Sequence, residues 1–299
     1  MWGISYPGFY AAYGLINSHP ALKAVSPQAP MGDVGNGDDA YHNGAFQLAA
    51  NFDFYTFFKP RGPEPEFPPK ARSDFEYGTP DAYDFFLRMG PLANANERFL
   101  KNQNVYWNDI LNHPAYDEFW QTRAQAPHMK NVTPATLFVG GWFDAEDLAG
   151  PLKLFRAVEK NGPKAQNTLV MGPWCHGCWT RADGQKLGNL DFASGTSEFF
   201  RENVELPFFV QHLKEKGDGL KAPPDNNIPK AWVFETGANR WLRFAEWPPK
   251  NAVEKSLYLG ANGTLTFTAP SAQGLDEYVS DPAKPVPIMA GIGEGMPRD

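Results

Sequence analysis

Only two of the 299 residues are cysteine, Cys175 and Cys178, so no disulfide framework holds this chain together. Their C-x-x-C spacing has no second pair or histidine cluster to complete a zinc site, and no thioredoxin-like context for a redox role. No run approaches the roughly 18 apolar residues of a membrane-spanning helix. Positive charge is also scarce. The 27 lysines and arginines face 34 aspartates and glutamates, and the net charge of −7 argues against a nucleic-acid groove and suits a cationic small ligand. The N-terminus shows no signal peptide, which bears on export only if the protein begins there. No internal repeat is visible.

Aromatic residues and proline are plentiful, with 9 tryptophans and 28 prolines. Together with 42% hydrophobic and 20% charged residues, they describe a soluble globular chain with long ordered loops, large enough for two or three domains.

Residues 1–35 read as a turn, a helix across Phe9–Ile16 with Pro7 near its first turn, and a short strand in "LKAVSPQAP". Residues 36–130 carry aromatics at helical spacing, interrupted by "KPRGPEPEFPPK", and read as a helical insertion. Residues 131–220 return to the pattern of a sheet. "ATLFVGGWFD" (135–144), a helix near 148–160 and "NTLVMGPWCH" (167–176) form a βαβ unit, hence parallel strands, followed by a helical stretch over 197–216. "KAPPDNNIP" reads as a linker, and residues 228–299 as antiparallel strands of a further domain.

Three residues point to chemistry. In Gly3-Ile4-Ser5-Tyr6-Pro7-Gly8 a serine sits in a glycine-flanked turn, one residue longer than the G-x-S-x-G nucleophile elbow. One strand-like run ends at Asp144 and the next at His176, where parallel sheets gather their functional groups. The order Ser, Asp, His is that of α/β-hydrolases. In this reading Ser5 attacks an acyl carbon, His176 moves its proton, and Asp144 holds the imidazole. The plainer alternatives are a helix N-cap for Asp144 and a structural hydrogen-bonding role for His176.

"GISYPGFYAAYGLINSHPALKAVSPQAP", "GDDAYHNGAF", "GGWFDAED", "GPWCHG" and "TGANRW" resemble the X-Pro dipeptidyl-peptidase and cocaine-esterase-like (CocE/NonD) serine hydrolases, and within them the α-amino-acid ester hydrolases, or β-lactam antibiotic acylases. The resemblance implies an α/β-hydrolase core, a helical cap inserted into it and a C-terminal β jelly roll. It carries the triad to Ser5, Asp144 and His176, and one oxyanion donor to the backbone N–H of Tyr6. The second donor, a tyrosine hydroxyl from an earlier loop, falls outside this chain. Four residues before Ser5 are too few for the strand that feeds an elbow. The chain therefore reads as an internal piece, incomplete in its sheet and jelly roll, of a hydrolase about twice its length.

The resemblance also implies that Asp39, Glu146 and Asp147 bind a substrate ammonium group, with Asp39 preferred to Asp38 by its spacing from Ser5. Clustered carboxylates raise one another's pKa unless a cation joins them. An acidic helix start and a calcium site are the alternatives. Trp142 and Trp174 (with Phe143) are candidates for an apolar acyl pocket, against ordinary core packing. The expected function is acyl transfer through Ser5 on esters or amides of α-amino acids, with no organic cofactor and no metal. A carboxylesterase or glutaryl-type acylase, a dipeptidyl aminopeptidase and an inactive piece remain open. The family further implies a homo-oligomer in the periplasm or outside the cell.

Overall fold

The computed structural model describes residues 1–58, 75–162, 165–214, 228–271, 274–287 and 291–293. The proline-rich segment 59–70, most of the 221–229 linker and the end of the 197–216 helical stretch lie outside the described residues.

Six strands form one sheet in chain order: β1 (Trp2–Ile4), β2 (Ala24–Gln28), β3 (Ala135–Gly141), β4 (Asn167–Gly172), β5 (Ala231–Glu235) and β6 (Arg240–Phe244). The first five run parallel and β6 returns antiparallel. Parallel strands need crossovers, and helices supply them. They are α1 (Tyr6–Tyr13) between β1 and β2, α6 (Ala149–Asn161) between β3 and β4, and the helical run of α7 (Thr196–Phe200) and α8 (Leu206–Leu213) between β4 and β5. The first helix begins three residues before the expected Phe9, because Pro7 fits the first turn, where its missing N–H breaks no hydrogen bond.

The sheet is apolar on both faces. In β3, Phe138 packs with α1 and α6 against Ala12, Leu154 and Phe155. Its neighbours Leu137 and Val139 point the other way, toward Trp179, Phe200 and Phe208. This is the two-residue period of a strand covered by helices on both sides.

The insertion between β2 and β3 is helical, as its spacing indicates: α2 (Leu48–Thr56), α3 (Ala82–Met89), α4 (Val105–Asn112) and α5 (Glu118–Gln121). It has its own aromatic core around Phe52, Phe85, Trp107 and Trp120. Three of its helices are capped as their sequences suggest. Asp81, Asn104 and Asp117 accept from the N–H groups of Tyr83, Trp107 and Phe119 at 3.0 Å each.

Two sequence expectations need correction. A strand does feed the elbow: Trp2–Ile4 pairs in register with Ser26–Gln28, and Met1 O accepts from Ser26 N at 2.9 Å. β2 supplies its ladder. Second, the strands at 231–244, read as lying in a further domain, join the core sheet. The apolar run "AWVF" is buried, pairs with β4 and extends the core sheet to Phe244. Beyond it, among the described residues, lies one exposed hairpin, β7 (Tyr258–Gly260) with β8 (Thr264–Thr266).

Candidate active site

Ser5 lies between β1 and α1 with φ 62° and ψ −125°. A non-glycine residue at positive φ is strained and marks a functional turn. The flanking glycines make the turn possible. A Cβ on Gly3 would stand 2.5 Å from the Pro7 backbone, and one on Gly8 would stand 2.4 Å from Gln28 O. Ser5 N donates to Gln28 O at 3.0 Å, which ties the elbow to the end of β2. The Tyr6 N–H belongs to the first turn of α1, where no helical carbonyl can accept it.

Asp144 follows β3 by three residues and is buried. Its Oδ1 accepts from the Glu146 and Asp147 N–H groups at 2.8 and 2.9 Å, and its carboxylate meets His176 Nδ1 at 2.9 and 3.1 Å. It orders its own loop and grips the imidazole at once. It does not cap α6, whose N-cap position is Leu148.

His176 is buried after β4. Its Nε2 has no hydrogen-bond partner among the described residues and lies 3.6 Å from Glu146 Oε2. Burial pulls the imidazole pKa down. The hydrogen bond and charge of Asp144, with Glu146 and Asp39, outweigh it and hold the pKa above the ordinary histidine value. The loop carrying His176 arches back to the elbow, so that a Cβ on Gly177 would stand 3.5 Å from Ile4 Cγ2. Ser5 and His176 are not hydrogen-bonded to each other among the described residues.

The four acidic side chains differ sharply. Asp38 is fully buried, and Gly32, Asp33 and Gly150 donate their N–H groups to it at 2.9, 3.1 and 2.9 Å. Burial lifts its pKa to about 6, against the pull of those bonds and of Lys153. Asp39, with φ 28°, turns instead toward a cavity of about 30 Å³ that Glu146 also lines. Burial first, then repulsion from Glu146 and Asp38, lifts Asp39 to about 7. Asp147 is fully buried, and neither carboxylate oxygen has a hydrogen-bond partner among the described residues. Burial and the charges of Asp39, Asp38, Asp144 and Glu146 push its pKa well above the carboxylate range. The structure thus brings Asp39, Glu146 and Asp147 together beside His176, and commits Asp38 to the backbone.

Gln47, Asn51, Phe54 and Tyr55 line the same cavity and were missed in the sequence. Their spacing was the available signal: positions i, i+4, i+7 and i+8 share one face of α2. Burial raises the pKa of both the Tyr55 and Tyr6 phenols, with a contribution from the Asp39 charge.

Of the two tryptophans expected at an acyl pocket, Trp174 is a core residue and Trp142 is half-buried. Trp174 is 1% exposed, donates from Nε1 to Thr196 Oγ1 at 2.9 Å and packs on Trp179, Phe200 and Trp241. Trp142 donates to Phe234 O at 3.0 Å and packs on the α1/α6 side of the sheet. The strand ends point these indoles along the sheet faces. Among the described residues, no group of three or more His, Cys, Asp or Glu is arranged to hold a metal ion.

Comparison with known proteins agrees with this geometry. Residues 1–178 match the X-Pro dipeptidyl-peptidase (S15) family. The cocaine esterase of Rhodococcus sp. is 24% identical over 319 residues, covering 100% of this chain and 53% of that protein. An aminopeptidase from a marine sediment Thaumarchaeota archaeon superposes with a TM-score of 0.83 at 37% identity, covering 98% of this chain and 46% of the other. An α-amino acid ester hydrolase superposes with a TM-score of 0.83 at 34% identity, covering 98% and 47%. The chain spans about half the length of these relatives. With its α/β-hydrolase sheet and the match over more than half its residues, this chain belongs to the X-Pro dipeptidyl-peptidase (S15) family.

Proposed function

We propose that this chain carries the catalytic centre of a serine hydrolase that acts, through an acyl-enzyme, on esters or amides of α-amino acids. Ser5 Oγ adds to the acyl carbon while its proton passes to His176 Nε2. Asp144 accepts the Nδ1–H bond and stabilises the imidazolium. The oxyanion forms against the Tyr6 N–H. As the tetrahedral adduct collapses, the leaving alcohol or amine departs with the proton from Nε2. Water then repeats the sequence and releases the free acid. Because Nε2 must be unprotonated to act, kcat/KM falls as pH drops through a His176 pKa held above its ordinary value.

The observation that carries the substrate class is the buried carboxylate of Asp147 in its acidic surroundings. Asp147 is buried with neither oxygen hydrogen-bonded among the described residues, Glu146 lies 3.6 Å from His176 Nε2, and Asp39 shares the cavity with Glu146. An α-ammonium group supplies donors to Asp147 and cancels the repulsion among the three carboxylates. The same acidic floor would serve cleavage at a free peptide N-terminus, a second reading favoured by the aminopeptidase among the similar structures.

The test compares kcat/KM of the full-length protein for a phenylglycine ester, the phenylacetic ester that lacks only the amine, and a phenylglycyl peptide. A large preference for the amine, lost in Glu146→Gln, supports the proposal. Equal rates for the two esters overturn it. A peptide turned over faster than the ester selects the second reading.

A further inference from the structure

Asp39 owes its place in the site to its main chain. With φ 28° it holds a conformation that residues other than glycine rarely adopt, and such a conformation persists only where the surroundings fix it. On one side, the Asp38 carboxylate is fastened by three N–H groups. On the other, Ala40 N donates to Val34 O at 3.2 Å, and Ala40 O accepts from Gln47 N at 3.0 Å. Between them, among the described residues, Asp39 O accepts from a side chain, Asn51 Nδ2, at 3.1 Å.

Asn51 is 5% exposed, sits on α2 and lines the same small cavity as Asp39 and Glu146. Its Nδ2 also donates to Gln47 O, one helical turn back, at 2.8 Å. Two carbonyl acceptors take both hydrogens of the amide, so the NH₂ end must face the main chain. The bond to Gln47 ties the amide to its own helix. The bond to Asp39 carries that hold across to the strained residue.

We propose that Asn51 is a positioning residue for the substrate ammonium group. It holds the main chain of Asp39 in the turn that brings the Asp39 carboxylate to the cavity it shares with Glu146, and so sets the preference for α-amino substrates. The inference rests on the reading of Asp39 as an ammonium-binding residue. A substrate without an amine does not call on Asp39, and so does not call on Asn51.

The test uses the full-length protein with a phenylglycine ester and the matching phenylacetic ester. Asn51→Leu keeps the branched shape and removes both hydrogen bonds. Asn51→Ser keeps a hydroxyl that can donate to Gln47 O one turn back, but is too short to reach Asp39 O. Each variant is expected to raise KM for the phenylglycine ester about tenfold, as one charge-assisted hydrogen bond slips out of place, with kcat and the phenylacetic ester within about twofold. In an Asp39→Asn protein, which has already lost the carboxylate, adding Asn51→Leu is expected to change the amine ester by less than about twofold. Equal losses on the two esters would mark a purely structural role and overturn the proposal. So would a further loss of about tenfold in the Asp39→Asn background, or an amine preference left intact in both variants. A parent protein that turns over the two esters equally is instead the failure of the substrate reading.

Discussion

Asp38 and Asp147 are both carboxylates with no exposed surface, on two sides of the same junction between sheet and cap. Around Asp38 every need is met. Three backbone N–H groups from the loop after β2 and the start of α6 converge on it, and it joins the cap entrance to the core. Around Asp147 none is met by the protein's own hydrogen-bond donors. Burial alone does not separate a structural acid from a binding one, because it lifts the pKa of both. The supply of donors does. Where the fold brings its own N–H groups, the carboxylate fastens the chain. Where buried carboxylates crowd one another without such donors, as around Asp147, the proposal is that a ligand brings the donor.

Several changes break or sharpen that contrast. The largest effect belongs to neither side: Ser5→Ala lowers kcat/KM for the amine and desamino esters alike by about 10⁴-fold, with the melting temperature unchanged or raised as the strained turn relaxes. On the floor, Glu146→Gln or Asp147→Asn lowers kcat/KM for the amine ester by about 10- to 100-fold, the worth of one charge-assisted hydrogen bond, and leaves the desamino ester within about twofold. At the junction, Asp38→Asn does the reverse. It turns an amide NH₂ toward backbone donors, costs about 2 kcal/mol of stability in denaturant unfolding, and affects both esters equally.

Proton linkage gives a fourth expectation. Asp39 holds its proton up to about pH 7 in the folded protein, against about 3.9 in an unfolded chain. The folded state therefore binds the extra proton between those values, and its contribution to stability is lost as pH rises through that window. The melting temperature is expected to fall from pH 5 to pH 7.5 more steeply in the parent than in Asp39→Asn. The smallest effect is that of Trp142→Phe. The loss of its bond to Phe234 O costs about 1 kcal/mol of stability, and the preference among acyl groups stays the same.

The sequence made some of this legible and hid the rest for physical reasons. Ser5 stood out because Gly3 and Gly8 are needed where backbone approaches backbone, and that need leaves a local trace. Asp144 and His176 stood out because apolar strands end just before them. The pairing of the strands at 231–244 was hidden because the partner of β5 is β4, some sixty residues earlier, and no local pattern records which sheet a strand joins. Trp142 and Trp174 sit beside the site in sequence, yet indole direction depends on packing with Thr196, Phe234 and Trp241, which only the fold brings near. The division of labour between Asp38 and Asp39 is set by a single residue at φ 28°, a turn that the sequence "NGDDAY" leaves open.

The most direct measurement is the number of protons exchanged when an α-ammonium ligand binds. Calorimetry on the full-length Ser5→Ala protein at pH 6, in buffers of different ionisation enthalpy, would follow the binding of phenylglycine methyl ester. The acidic floor holds at least one proton at that pH and must release it to meet the cation. Release of about one proton, abolished in Asp39→Asn and absent with the phenylacetic ester, is the predicted result. Binding of the amine with no proton released, or equal binding of the two esters, would contradict the proposal that the acidic cluster binds an ammonium group.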